Sequence, residues 1–365
     1  MLQRNPYTPA VLPSAPKSPR RLVKGIVLAG VHDWGGCALD ALLPRPLAPV
    51  AGRPLIGYAV EWLRSAGVSE LTICSNLSAR RLVDALGEAA DGVTFHQDVM
   101  PRGPAGCLLD AWSGSEAEAG VLVDGSTIPE CDLPALLGEH ESGGAALTVV
   151  VREDSGHVRA TDFQPPAGIY VASPSVLEHV AESGYVDLKE GLIPALYDRG
   201  YRMTTYGTAG TCPRVTGVAS YLAANDWVLE RNWVRPEELD GFEVAAEGSR
   251  IHPTAQVHRG ARLAGPVQVG ARSEISDGVT LVGPVCIGSD VRIHDGAVIC
   301  RSVLWDSCEV GAEAHLDRCL VAQSAVIRRA VRAVGAVLAP GCAEVERPGR
   351  RKTGAQAVPR RRIGT

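Results

Sequence analysis

Two hydrophobic rhythms divide the chain. In the first half, short apolar runs alternate with segments whose apolar residues recur at helical spacing. "GIVLAG" (Gly25–Gly30) is an apolar run that ends in glycine and predicts a short buried strand. In "RPLIGYAVEWLRSAGV", Leu55, Ile56, Ala59, Trp62, Leu63 and Ala66 fall on one helical stripe, and Gly67 suits the stop. The alternation continues through "ELTICSN" (strand), "ARRLVDALGE" (helix), "GVTFHQ" (strand), "GCLLDAWSGS" (helix), "GVLVDGS" (strand), "CDLPALLGEHES" (helix) and "ALTVVV" (strand). Strands alternating with helices predict an α/β domain whose mostly parallel sheet is covered on both faces. Open sheets of this kind bind ligands at the carboxyl ends of their strands.

The second half has a different period. One aliphatic residue recurs every six positions at Ile251, Val257, Leu263, Val269, Ile275, Leu281, Ile287, Ile293 and Ile299. Small residues or glycine stand beside them, as in "VGARSE" and "IGSDVR". This period predicts three short faces per turn of a parallel β-helix with aliphatic side chains stacked inside. The phase slips by one after Ile299 and resumes at Leu304, Val310 and Leu316, which suggests a bulge or loop. If Leu304 turns inward, Trp305 points outward, either as an interface anchor or under a loop of the same chain. The reading divides the chain into a disordered arm (1–21), an α/β domain (22–235), a linker (236–249), the β-helix (250–345) and a basic disordered tail (346–365).

Composition narrows the class. The net charge of -5 gives the body no nucleic-acid signature. Ten cysteines without a C-x-x-C read as reduced thiols rather than a zinc site or disulfide framework. No apolar run reaches the ~18 residues of a membrane span, and the N-terminus lacks a signal pattern. The expected location is cytoplasmic. Seven Lys/Arg between Arg347 and Arg362 make the tail a candidate contact for anionic surfaces.

Three segments together carry a resemblance: the strand with its following loop, "PRPLAPVAGRPLI", and the hexapeptide repeat. The chain resembles the sugar-1-phosphate nucleotidylyltransferases, the nucleotide-sugar pyrophosphorylases, over roughly residues 22–330. The resemblance implies a Rossmann-like nucleotidyltransferase domain followed by a left-handed β-helix. The family's opening signature, L-A-G-G-x-G-T-R-L followed by P-K-P-L, threads without a gap. Leu28, Ala29, Gly30, Pro44, Pro46, Leu47, Gly52, Pro54 and Leu55 match. The chemical positions depart. Val31 and Asp33 replace glycines, Trp34 the threonine, Gly35 the arginine and Arg45 the lysine. Val at a phosphate loop resists the φ > 0 geometry that glycine permits. A carboxylate ~4 Å from a phosphate repels it by about 1–4 kcal/mol. Losing one preorganised charge-stabilising group typically costs ~3 kcal/mol of barrier. Trp34 has the bulk to fill the vacated space.

By the same resemblance, the two Mg²⁺-binding aspartates correspond to Ser126 and Arg214, so no metal site is expected. Asp124, two residues from Ser126 and on the same side of the strand, is a possible replacement ligand. The family's E-K-P strand has no counterpart between "TVVV" and "AGIY". The resemblance assigns nucleotide binding to Gly30, Gly103, Ala105 and Gly106, the last three in the loop "PRGPAGCL". It assigns sugar contact to Gly168, and "VDLKEGLIP" keeps Asp187, Lys189 and Glu190. The glycines also suit turns, and Asp187 a helix cap. The reading reached is a pyrophosphorylase-like protein without catalysis. It would bind a nucleotide or nucleotide sugar, alone or as a regulatory subunit, in a homo-oligomer or beside an active pyrophosphorylase. A second reading is an active enzyme with Mg²⁺ and a rebuilt site at Arg45, Asp124 and Asp187. A third is a hexapeptide acyltransferase using His252, His258, His294 or His315, or a scaffold.

Overall fold

The structure, a computed structural model, describes residues 22–30, 33–98, 100–152, 166–208, 210–234, 241–244 and 249–341. The arm over 1–21, most of the linker and the basic tail from Arg347 lie outside the described residues, as does Val31.

The N-terminal half is built on a seven-stranded sheet. Its strands are β1 (Val23–Leu28), β2 (Glu70–Ser75), β3 (Val93–Gln97), β4 (Ala119–Asp124), β5 (Leu147–Arg152), β6 (Pro166–Ala172) and β7 (Met203–Thr208). They lie in the order β3-β2-β1-β4-β6-β5-β7. The pairs β1–β2, β1–β4, β2–β3 and β5–β7 are parallel, and β6 runs antiparallel to both β4 and β5. The apolar run of β1 sits at the centre, where Ile26 and Val27 are fully buried. Helices α1 (Leu55–Ser65), α2 (Ala79–Leu86), α3 (Gly103–Trp112), α4 (Leu133–Ser142) and α5 (Ile193–Asp198) surround the sheet. The predicted stripe of α1 is the face that packs. Leu55, Ile56, Ala59 and Leu63 are buried, with Trp62 and Ala66 partly so. Asp132 starts α4 by accepting a hydrogen bond from Ala135 N at 3.1 Å. The pattern missed β7, α5 and the small hairpin Pro49–Val50/Arg53–Pro54.

The C-terminal half is the predicted parallel β-helix. Its inward residues stack in three ladders. One runs Ile251, Val269, Ile287, Leu304, Val321, Leu338. Another runs Val257, Ile275, Ile293, Val310, Ile327, and the third runs Leu263, Leu281, Ile299, Leu316, Ala333. Burying each such Ile or Leu contributes roughly 1.5–3 kcal/mol. The slip after Ile299 is a corner one residue shorter, Cys300–Val303, with Arg301 at φ 45°. The same short corner recurs at Asp317–Leu320 and Val334–Val337.

The long helix α6 (Val218–Val234) joins the halves, and one apolar core runs through the seam. Trp34, Tyr221 and Trp305 meet there, with Trp34 edge-on to Tyr221 at 5.4 Å and 6.2 Å from Trp305. Trp305 Nε1 donates to the Tyr221 hydroxyl at 2.8 Å, which in turn donates to Pro49 O. Gln268 of the β-helix donates to Ala51 O at 3.0 Å, and Ala51 N donates to Asn225 Oδ1 at 2.9 Å. Trp305 is only 3% exposed. It is therefore covered by its own chain and is not an outward anchor.

Candidate functional site

Strands β1 and β4 are adjacent and parallel, so the segments leaving their carboxyl ends come together. Gly125 N donates to Leu28 O at 2.8 Å, which fixes the two exits against each other. From β1 the chain passes Gly30 to the divergent loop. There Asp33 Oδ1 accepts from Gly35 N at 3.1 Å, and Asp40 accepts from Trp34 N. Trp34 Nε1 donates to Leu43 O at 2.6 Å. The indole is buried, and the space it fills is the seam against Tyr221 and Trp305.

From β4 the chain passes Asp124, Gly125, Ser126 and Thr127. Across from it lies the segment before α6: Ile128 N donates to Pro213 O at 2.9 Å and Val215 N to Ser126 O at 2.8 Å, and Thr127 bridges Arg214. The two positions that the resemblance assigns to metal ligands, Ser126 and Arg214, are therefore neighbours in space. Arg214 reaches Asp124. Its Nε donates to Oδ2 at 3.1 Å and its Nη2 to the same oxygen. Ser126 N donates to the other oxygen, Oδ1, at 2.9 Å. The Asp124 side chain is 13% exposed and that of Arg214 34%.

This donor set does not fit Mg²⁺. A hard dication needs several free oxygens. Here the carboxylate beside these two positions, that of Asp124, has both oxygens engaged, and a fixed positive charge lies against it. No group of three or more His, Cys, Asp or Glu side chains suited to a metal occurs among the described residues.

Arg45 completes the cluster. Its Nη1 donates to Thr216 O, while its Nε is buried without a partner among the described residues. Burial pulls its pKa down, and the charges of Asp124, Asp33 and Asp40 push it up, with Arg214 adding to the lowering. The Ser126 hydroxyl is likewise buried without a partner among the described residues. Tyr170 on β6 is pushed up to about 12 by burial and feels both Arg214 and Asp124.

Gly168 belongs to this cluster by necessity. It has φ 84°, and a Cβ there would meet Thr127 Oγ1 at 2.9 Å and Asp124 Cβ at 3.1 Å. The structure thus brings Arg45, Asp124, Ser126, Gly168 and Arg214 together. The charge of Asp187 also reaches Tyr170, but its carboxylate serves as a cap. Its Oδ1 accepts from Lys189 N at 2.7 Å and Glu190 N at 2.9 Å, capping the turn Leu188–Leu192.

Of the segment read as the loop "PRGPAGCL", Pro101 and Arg102 precede α3, and Gly103–Leu108 belong to the helix, which begins at Gly103. Gly103, at φ 72°, lies so close to Val186 O that a Cβ would stand 2.5 Å from it. Ala105 is buried and its N–H donates to Val186 O at 3.2 Å. A Cβ on Gly106 would meet Arg102 Cβ at 2.6 Å. Beside Gly103 the ring of Tyr185 is 64% exposed. Nothing in the sequence pattern marked Tyr185 or Thr127.

On the β-helix the four histidines serve local contacts. His258 pairs with Asp277 at 3.1 Å and His294 with Glu309 at 2.8 Å. His252 bonds Thr254 Oγ1 at 2.9 Å and His315 faces Glu313 O at 3.1 Å.

Residues 253–338 match the family described as "GlmU-like, C-terminal hexapeptide". A UTP–glucose-1-phosphate uridylyltransferase of Synechocystis is 24% identical over 342 residues, covering 80% of this chain and 86% of that protein. A glucose-1-phosphate thymidylyltransferase of Streptomyces griseus is 24% identical over 295 residues, 70% of this chain and 80% of that protein. A mannose-1-phosphate guanyltransferase of Candida albicans is 24% identical over 267 residues, 65% and 73% of the two chains. The chain, a parallel-rich sheet followed by a hexapeptide β-helix, is thus similar at 24% identity to proteins named as sugar-1-phosphate nucleotidyltransferases, and its β-helix matches the GlmU-like hexapeptide family.

Proposed function

We propose that this protein binds a nucleotide or nucleotide sugar without transferring a nucleotidyl group, and that it acts as a regulatory subunit in nucleotide-sugar metabolism. The observation that carries the reading is the Arg214–Asp124 pair. It fills the place of the family's metal ligands with a guanidinium and engages the one carboxylate left there. Phosphoryl transfer depends on positioning and on charge neutralisation. The departures at Asp33, Trp34 and Gly35 remove further parts of both. What supports retained binding is the ligand edge itself: Gly168, Arg45 and Ser126 still converge at the ends of β1, β4 and β6, and the exposed Tyr185 ring offers a stacking surface for a base.

The test has two arms. Thermal shift against UDP-glucose, GDP-mannose and dTDP-glucose should show stabilisation by at least one of them. Pyrophosphate release from nucleoside triphosphate and sugar-1-phosphate with Mg²⁺ should stay below ~1 s⁻¹, the low end of enzyme turnover. Faster release overturns the non-catalytic reading. Light scattering on the purified chain and pull-down from its native extract test the subunit role. A monomer with no co-purifying pyrophosphorylase removes it in favour of a stand-alone sensor.

A further inference from the structure

The groups around Asp124 are arranged to receive an anion. Arg45 comes from the short turn Arg45–Leu47 after the divergent loop, and Arg214 from the segment before α6. Each guanidinium presents five N–H donors in a planar fork. Asp124 takes two of those of Arg214, and Thr216 O takes one of those of Arg45. Among the described residues the buried Nε of Arg45 has no acceptor, and neither does the hydroxyl of Ser126, which is 2% exposed. Buried donors without acceptors are costly. Two further carboxylates face Arg45, those of Asp33 and Asp40. Each is already held by a loop N–H, from Gly35 and Trp34. Arg214 covers Asp124 and is itself a third exposed, so its outer edge is reachable from solvent. A phosphate matches the guanidinium forks, reaching the open edge of Arg214 and the N–H groups of Arg45 that Thr216 O leaves free.

Building on the nucleotide-sugar reading above, we propose that Arg45 and Arg214 hold a phosphate group of a diphosphate ester directly, without a divalent cation. The guanidinium of Arg214 stands in for the metal, and Asp124 fixes its orientation.

Calorimetry with inorganic pyrophosphate tests this on the full chain, in EDTA and then with added Mg²⁺. The expected result is binding in EDTA that Mg²⁺ does not tighten. Arg45→Gln should weaken it about tenfold or more. So should the double variant Asp124→Asn/Arg214→Gln, which removes the Arg214 charge without stranding a carboxylate; circular dichroism verifies that both variants fold. Binding that requires Mg²⁺, binding unchanged in both variants, or no binding at all overturns the proposal. The nucleotide-sugar reading fails separately. If a nucleotide sugar stabilises wild type and variants equally, that reading stands and this one falls. If pyrophosphate binds through the arginines and no nucleotide sugar does, the reverse holds.

Discussion

Arg214 directs two N–H groups at a single oxygen of Asp124, while the backbone of Ser126 holds the other oxygen. The carboxylate is largely buried and the guanidinium partly exposed, so the pair is asymmetric. Removing the arginine leaves a buried charge, whereas neutralising both partners does not. Arg214→Gln should lower stability by about 1–2 kcal/mol, discounted for the exposed side of the pair. Asp124→Asn/Arg214→Gln should recover most of that loss. Urea midpoints for the two variants and wild type check the ordering.

The seam between the halves should be the most sensitive place to cut. Trp34 and Trp305 are both buried against Tyr221. Either Trp→Ala change should cost about 3–5 kcal/mol, the range for large-to-small aromatic substitutions. Trp305→Phe keeps most of the volume and loses the hydrogen bond to Tyr221, for about 1 kcal/mol. Neither Trp305 variant should alter the oligomeric state at temperatures where the fold persists, because the ring faces its own chain. Melting curves and light scattering on the same samples separate the two effects.

Asp226 on α6 supplies a pH dependence. Burial, reinforced by Glu230 and opposed by Arg301, raises its pKa to about 6. The unfolded side chain titrates at about 3.9. Between these values the folded chain binds more protons than the unfolded one, so this group makes stability fall as pH rises from about 4 to 6. Asp226→Asn should flatten that slope and stabilise the protein at pH 7 by about 1 kcal/mol, allowing for partial solvation. Guanidinium unfolding midpoints at pH 5 and pH 7 give the comparison.

At the start of α3, Gly103 and Tyr185 should respond differently. Gly103→Ala places a Cβ against Val186 O at a positive φ and should destabilise by about 1–3 kcal/mol whatever its role toward ligand. Tyr185→Ala removes an exposed ring and should leave stability within about 0.5 kcal/mol. If the ring stacks on a base, the same change weakens nucleotide binding by roughly tenfold. Calorimetry with UDP-glucose and with pyrophosphate distinguishes base stacking from phosphate contact.

Much of the architecture was legible because periodicity reports burial directly. The six-residue aliphatic repeat marked the inner ladders of the β-helix, and its slip at Ile299 marked a shortened corner that returns in the later coils. The strand β7 escaped notice because "MTTYGT" is polar and partly exposed at the sheet edge. At the candidate site the sequence marked Asp33, Trp34, Ser126 and Arg214 as departures from the family's signature. An ion pair between Asp124 and Arg214, ninety residues apart in sequence, leaves no local pattern. Trp305 shows the limit of alternation as a guide: it does point out of the coil, but Trp34 and Tyr221 wait on the other side.

Trp34 stands where the family resemblance places the threonine of the phosphate loop, and its ring is part of the seam. That double position makes the loop hard to reverse by single steps. Placing a threonine there empties a volume shared with Tyr221 and Trp305, so that substitution carries a packing penalty whatever it does to ligand binding. The three aromatic positions are coupled neighbours whose effects do not add. A lineage that acquired this trio holds the loop after β1 and the β-helix as one inherited unit, and a change at position 34 becomes tolerable only after positions 221 and 305 have changed to receive it.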